Sequence, residues 1–337
     1  MSSPSKPSFA IVGGATLLGK ELREVIEALP SAVDVRLIGT GDVDASGLTS
    51  DGDEAVVLSP LNESSLSEST VVFLAGDERS SQLAWDLVAL RKQRPFLVDM
   101  SGTLDRVPQA QLRAPLVEAP GFEVLPNAVQ VLAHPASIAL AILLQRLGTD
   151  LAPSRLIAHT FLPVSEQGNA GINELHQQTV NLLGFQTLPR NVFGGQLAFN
   201  MMASIGPEAS AGNMRKIEVK VQTELPRLLG SAPVPQLSVR CVQAPVFHCF
   251  SQSLRLEFPS AIDQQRLAET LKGGLVDLWS EEQGAPDQLS AVGETGVVIG
   301  DLRPDGPDGT AYWLWLVADN LRLRAASAVA TARIWLS

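Results

Sequence analysis

Ser8-Phe9-Ala10-Ile11-Val12-Gly13-Gly14-Ala15-Thr16-Leu17-Leu18-Gly19 is the stretch whose reading decides the fold. Its apolar run is continuous rather than alternating, the pattern of a strand buried on both faces of a parallel sheet. The run closes on glycine, and Leu17 to Leu29 continues with helical spacing. A glycine turn between a strand and a helix brings backbone N–H groups and the helix N-terminus against a pyrophosphate. The spacing Gly13-x-x-Thr16-x-x-Gly19 departs from G-x-G-x-x-G. By itself, therefore, the loop fits a tight turn without a ligand as well as a dinucleotide site.

The same pattern repeats outward. Val33 to Gly39, Thr70 to Gly76 and Phe96 to Asp99 read as further buried strands. Leu83, Leu87 and Leu90 mark one face of an intervening helix. Strands alternating with helices indicate βαβ units and a parallel sheet. After Ala136 the pattern changes. Ala136–Leu147, Gly171–Leu183 and Arg215–Leu229 read as helices among longer strands at Leu156–Pro163, Gln236–Val246 and Gln252–Phe258. Gly300–Gly309 reads as a surface loop between two strands, and Asn320–Trp335 as an alanine-rich final helix.

Composition bounds the function. The chain has 337 residues, about two domains' worth, with a formal charge of −11. An acidic excess without a basic patch argues against a nucleic-acid partner. No apolar run approaches the roughly 20 residues that span a bilayer, and the polar N-terminus is not a signal peptide. Cys241 and Cys249 are the only cysteines, and they sit in what reads as one hairpin. So few thiols suit a reducing cytoplasm. No histidines and carboxylates share a metal-ligand spacing, so no metal is expected.

Five stretches carry a resemblance: Val12 to Gly19, Val164-Ser165-Glu166-Gln167-Gly168-Asn169-Ala170-Gly171, Gln196-Leu197-Ala198-Phe199-Asn200, Gln243-Ala244-Pro245-Val246-Phe247 and Asp319-Asn320-Leu321-Arg322. In order and spacing they resemble the aspartate-semialdehyde dehydrogenase family. The resemblance implies an α/β fold with an N-terminal Rossmann-type doubly wound sheet. An α+β dimerisation and catalytic-type domain follows, and the C-terminal helix returns to the Rossmann domain. The expected division is 1–135 plus 320–337 for the dinucleotide-binding domain and 136–319 for the dimerisation and former substrate domain. Implied cofactor contacts are Gly13, Ala15, Thr16, Leu17, Leu18 and Gly19, with Ser165, Gly168 and Asn320 from the second half. The second strand runs into Gly39-Thr40-Gly41-Asp42-Val43-Asp44, which holds no Arg or Lys. On charge grounds NAD is favoured over NADP.

The family chemistry requires a cysteine thiolate to attack the aldehyde, a histidine as acid and base, and hydride transfer to a nicotinamide. A glutamine orients the intermediate and an arginine clamps the substrate carboxylate. Carried over residue by residue, the cysteine position reads Pro135, within His134-Pro135-Ala136-Ser137. The glutamine position reads Leu162, the arginine position Gln243 and the histidine position Phe250. The phosphate-site arginine falls near Asp105, beside Arg106. Only Lys220 of the substrate site is kept. This resembles the Usg-like paralogues, which keep the fold without the catalytic set. The expectation is a catalytically impaired homodimer that keeps dinucleotide binding, with an active family member as a candidate partner. The alternatives are an NAD(P)-dependent oxidoreductase acting on a different substrate, and an interaction module without nucleotide. Thr16, where the family loop usually has glycine, motivates the last of these.

Two residues are candidates to replace the lost groups. Cys249 adjoins His248 one position before Phe250, and the plainer reading is two residues at a strand turn. His134 precedes the helix at Pro135 and is a site residue or an ordinary loop residue. Ser137 is the expected helix cap there. Cys241 reads as strand packing, and Trp313 and Trp315 as one face of a strand in a core or dimer contact.

Overall fold

The computed structural model describes residues 7–30, 33–41, 48–51, 54–118, 122–125, 127–205 and 214–336. The chain divides into two compact units, one running to Ala133 and resuming at Arg324, the other spanning His134–Leu323.

The first unit is built on a sheet of β1 (Ser8–Val12), β2 (Asp34–Ile38), β5 (Val71–Leu74), β6 (Phe96–Asp99), β7 (Ala110–Arg113) and β8 (Val129–Leu132). Its order is β2-β1-β5-β6-β8-β7 and every pairing is parallel. Phe9, Ala10, Ile11 and Val12 are all buried, so both faces of β1 are covered, as the unbroken apolar run requires. A separate antiparallel pair, β3 (Leu48–Asp51) and β4 (Glu54–Val57), lies between β2 and α2 (Glu63–Ser67) in sequence. The chain enters at β1, winds to β2, then crosses to β5 on the other side. That reversal is the switch point at which open parallel sheets bind ligands beyond their strand ends. The glycine turn into α1 (Leu17–Glu27) lies there.

Helix α3 (Glu78–Val88) corrects one expectation. It buries Ser80, Ser81, Ala84, Trp85 and Val88, whereas Leu83 is exposed and Leu90 lies past the helix end in solvent. Small residues let this helix approach the sheet closely, and Trp85 fills the core instead of a leucine stripe. The end of the C-terminal helix α8 (Asn320–Leu336) belongs to this unit, where Trp335 stacks on Phe96 with ring centroids 4.7 Å apart.

The second unit holds a mixed sheet of β9 (Arg155–Leu162), β10 (Gln236–Gln243), β11 (Phe250–Glu257), β12 (Val276–Leu278), β13 (Val297–Pro304) and β14 (Ala311–Ala318). The order is β10-β9-β11-β14-β13-β12. Cys241 and Cys249 therefore do not share a hairpin, because β9 lies between β10 and β11. Helix α4 (Pro135–Leu147) is buried on nearly every side, as an apolar run without a polar face demands. It is joined by α5 (Gly168–Leu183), α6 (Met214–Leu229) and α7 (Gln264–Leu271). The loop expected at Gly300–Gly309 is shorter in the structure, since β13 continues to Pro304 past a register shift between Gly300 and Arg303.

One face of this sheet packs inside the unit. The other is half-exposed and carries Ile157, Phe161, Trp313 and Trp315. Phe161 and Trp315 meet there at 5.7 Å between centroids. Among the described residues no helix is long and apolar enough to cross a membrane.

Candidate functional site

The N-terminus of α4 organises a buried polar cluster in the second unit. Pro135 occupies the first turn, where a missing N–H costs nothing. The cap is His134 rather than Ser137: the Ala136 N–H donates to His134 Nδ1 at 3.2 Å. An accepting Nδ1 leaves the ring proton on Nε2, which faces Glu166 Oε2 at 3.8 Å. Ser137 instead donates its hydroxyl to Glu224 Oε2 at 2.6 Å, and the same oxygen accepts the His134 N–H at 2.8 Å. Glu224 reaches this point from α6, one turn after Lys220, whose Nζ lies 3.8 Å from Glu224 Oε1.

The cluster continues through Glu166 to the start of α8. Asn320 Nδ2 donates to Glu166 Oε1 at 3.0 Å and to Ser165 Oγ at 3.2 Å. Asn320 is fully buried and Ser165 nearly so. Gly168 has φ +61, and a Cβ there would meet nothing. The sequence marked His134, Lys220, Ser165 and Asn320, and the structure brings them into one network. Glu166 and Glu224, which join them, were missed as site residues. The Lys220–Glu224 spacing of four on a helix was the available signal.

Leu162, Gln243 and Phe250, marked by the resemblance, lie on the buried sheet face. Gln243 and Leu162 are register partners on β10 and β9. Gln243 Nε2 donates to the Leu162 carbonyl at 2.8 Å and to that of Ala244 at 3.2 Å. Phe250 begins β11 opposite Ala318 and is buried. Cys249, with φ +61, is buried with Ala291, Val298 and Val317, whereas His248 is exposed. Asp105 and Arg106 are exposed in the first unit.

Burial pushes the Cys241 thiol up to about 12, with the carboxylates of Glu218 and Glu166 adding to the rise. A thiol held that high carries no thiolate at neutral pH. Its folded value exceeds the unfolded one, so the stability it contributes is present below the ordinary thiol range and is lost as pH rises toward about 12. We expect stability to fall across that alkaline window and Cys241→Ala to flatten the fall. Denaturation midpoints against pH read this directly, and an unchanged slope contradicts it.

In the first unit the Gly13 and Gly14 N–H groups donate to the Ile38 carbonyl at 2.9 and 3.1 Å. Gly13 has φ +83, and a Cβ there would lie 2.6 Å from the Gly76 backbone. A Cβ on Gly19 would lie 2.2 Å from the Gly13 oxygen. Thr16 caps α1: its Oγ1 accepts the Gly19 N–H at 3.0 Å and lies 2.8 and 2.9 Å from the Gly13 and Ala75 carbonyls. Its side chain thus turns back into the loop. The N–H groups of Leu17 and Leu18, in the first turn, have no acceptor within the helix. Ala15 is half-buried beside them. Asp42, Val43 and Asp44, on which the choice of NAD rests, lie outside the described residues. Among the described residues no group of three or more His, Cys, Asp or Glu side chains is placed to hold a metal ion.

Known proteins are similar to this chain over most of its length. An aspartate-semialdehyde dehydrogenase of Rickettsia bellii is 26% identical over 330 residues, 95% of each chain. A USG-1 protein homolog of Pseudomonas aeruginosa is 31% identical over 235 residues, 68% of each. Among solved structures, a probable aspartate-semialdehyde dehydrogenase from Pseudomonas aeruginosa superposes with a TM-score of 0.83 at 24% identity over 99% of each chain. An aspartate semialdehyde dehydrogenase with NADP from Candida albicans gives 0.65 at 14% identity over 98% of each. At such identities these structures speak for the fold alone. The profile of the semialdehyde dehydrogenase dimerisation domain matches residues 144–323. With its dimerisation domain matched over more than half its length and a USG-1 homolog among its relatives, this chain belongs to the aspartate-semialdehyde dehydrogenase family.

Proposed function

We propose that this chain is a catalytically silent member of its family, retaining the two-domain fold, dinucleotide binding and self-association without the thioester chemistry. The observation that carries this is the state of the vacated site. Pro135, Leu162, Gln243 and Phe250 stand at the family's nucleophile, orienting, clamping and acid–base positions, and none supplies the required group. Their polar neighbours hydrogen-bond one another: His134 caps a helix, Ser137 and the His134 N–H hold Glu224, and Asn320 holds Glu166. Neither cysteine is a substitute nucleophile on this reading. Cys249 lies in an apolar cluster, and burial keeps Cys241 protonated. The test is phosphate-dependent oxidation of aspartate semialdehyde, expected at background level with either nicotinamide cofactor.

Dinucleotide binding draws support from the first unit. The Thr16 side chain folds into its own turn, so it does not crowd a pyrophosphate laid against the Leu17 and Leu18 N–H groups. Bound there, the cofactor supplies a hydride acceptor. NAD and NADP are both candidates, since one neighbouring structure carries NADP and the sequence after β2 lacks a cation for a 2′-phosphate.

A homodimer is the assembly we infer. The matched domain is the family's dimerisation domain, and the half-exposed face with Ile157, Phe161, Trp313 and Trp315 is the apolar surface a second copy would cover. Trp315→Glu is expected to yield monomers in sedimentation, while Lys92→Glu, at an exposed position of the first unit, leaves the assembly intact. A Trp315→Glu protein that stays dimeric would move the interface elsewhere. Two buried cysteines outside any disulfide fit a cytoplasmic location.

A further inference from the structure

We propose that the position where the family clamps a carboxylate is here an acceptor site, built for a ligand that presents an ammonium group. The inference rests on the reading of a vacated site and names what that site would take. Gln243 is fully buried, and its Nε2 uses both hydrogens on main-chain carbonyls, those of Leu162 and Ala244. These two acceptors fix the amide orientation, since a flipped amide would set oxygen against oxygen. The end left over is Oε1, which is buried and has no hydrogen-bond partner. A buried carbonyl without a donor is costly, so it marks a place where water or a ligand supplies one.

Charge nearby decides which donor fits. Cys241 lies two residues back on the same face of β10, and its N–H donates to Glu218 Oε1 at 2.9 Å. Glu218 and Glu166 both act on its thiol in the direction of negative charge. Arg240, which opposes them, is largely exposed and sits 3.8 Å from Glu218. Glu218 and Glu166 thus bring negative charge to Cys241, two residues from Gln243 on the same strand face, where an arginine would have faced an anionic substrate. A carboxylate arriving at Gln243 meets an oxygen and a negative field. An ammonium group supplies the missing donor and is attracted by the same field.

The test uses two probes of equal chain length, butylammonium and butyrate, titrated into the full-length protein by calorimetry and ligand-observed NMR. We expect saturable binding of butylammonium and none of butyrate. Gln243→Met, which keeps the volume and removes the acceptor, should weaken the amine by about tenfold or more. Gln243→Glu, which keeps an acceptor and adds charge, should tighten it, so the proposal stays testable if the methionine variant folds poorly. Gln243→Arg should reverse the preference toward butyrate. Equal binding of both probes, an affinity unchanged in Gln243→Met and Gln243→Glu, or no saturable binding with an ordered water at Oε1 would each overturn the proposal. Turnover of aspartate semialdehyde, measured on the same samples, bears on catalytic silence and not on this preference.

Discussion

Replacing Glu118 with leucine should destabilise the protein by about 3–5 kcal/mol, the usual cost of leaving one charge of a buried pair without its partner. Arg113 sits on β7 with its side chain fully buried. Its Nε and Nη2 donate to the two oxygens of Glu118, each at 2.8 Å, and its Nη1 donates to Gln130 Oε1 at 2.7 Å. The Ala114 N–H also donates to Glu118, at 2.7 Å, and the guanidinium lies 4.8 Å over the Phe122 ring. Every strong donor of this arginine except the remaining edge of the fork is thus directed at a named acceptor. The double variant Arg113→Met with Glu118→Leu removes both charges and should recover most of the loss, because paired desolvation offsets much of the attraction. Urea midpoints for the single and double variants decide it. Equal losses in both would mean that shape, not charge, holds this corner.

Glu224→Leu should be the most damaging change in the second unit. One carboxylate oxygen accepts both the Ser137 hydroxyl and the His134 N–H. Removing it orphans two buried donors at about 1–3 kcal/mol each. Ser137→Ala removes one donor together with its need for a partner and should cost about 1 kcal/mol. A double-mutant cycle on thermal unfolding should therefore show coupling between the two positions. Strict additivity would mean that the cluster does not act as a unit, and the account of a self-satisfied site would lose its main support.

Local pattern made β1, β2, β5 and β6 of the first sheet legible, but not β7 or β8, whose short runs alternate with glutamine. Runs such as Val71–Leu74 are apolar on both faces because helices cover both, and glycines close them where the chain must turn. The helix face of α3 was not legible, since its register is set by Ser80, Ser81 and Ala84, residues that carry no hydrophobic period. The second sheet was misread at Cys241 and Cys249 because a parallel strand, β9, inserts from far upstream in sequence. Pro135, Leu162, Gln243 and Phe250 came from the family resemblance, which proposes them as the replaced positions. The bonds that seal the cluster could not be read, because Glu224 meets His134 across 90 residues and Asn320 meets Glu166 across 154. Long-range polar pairing leaves no periodic trace. His134 as cap was hidden for a related reason: Ser137 has the better capping chemistry, and only the tertiary position of Glu224 diverts it.

The claim at the centre of this account is that the family's aldehyde chemistry has been lost. Its direct test is phosphate-dependent oxidation of aspartate semialdehyde by the purified protein, with NAD and with NADP, beside the Cys249→Ser variant. The account predicts reduced cofactor at the background rate for both proteins. Turnover that disappears in Cys249→Ser would contradict it, placing a working nucleophile in the apolar cluster that Cys249 shares with Ala291, Val298 and Val317.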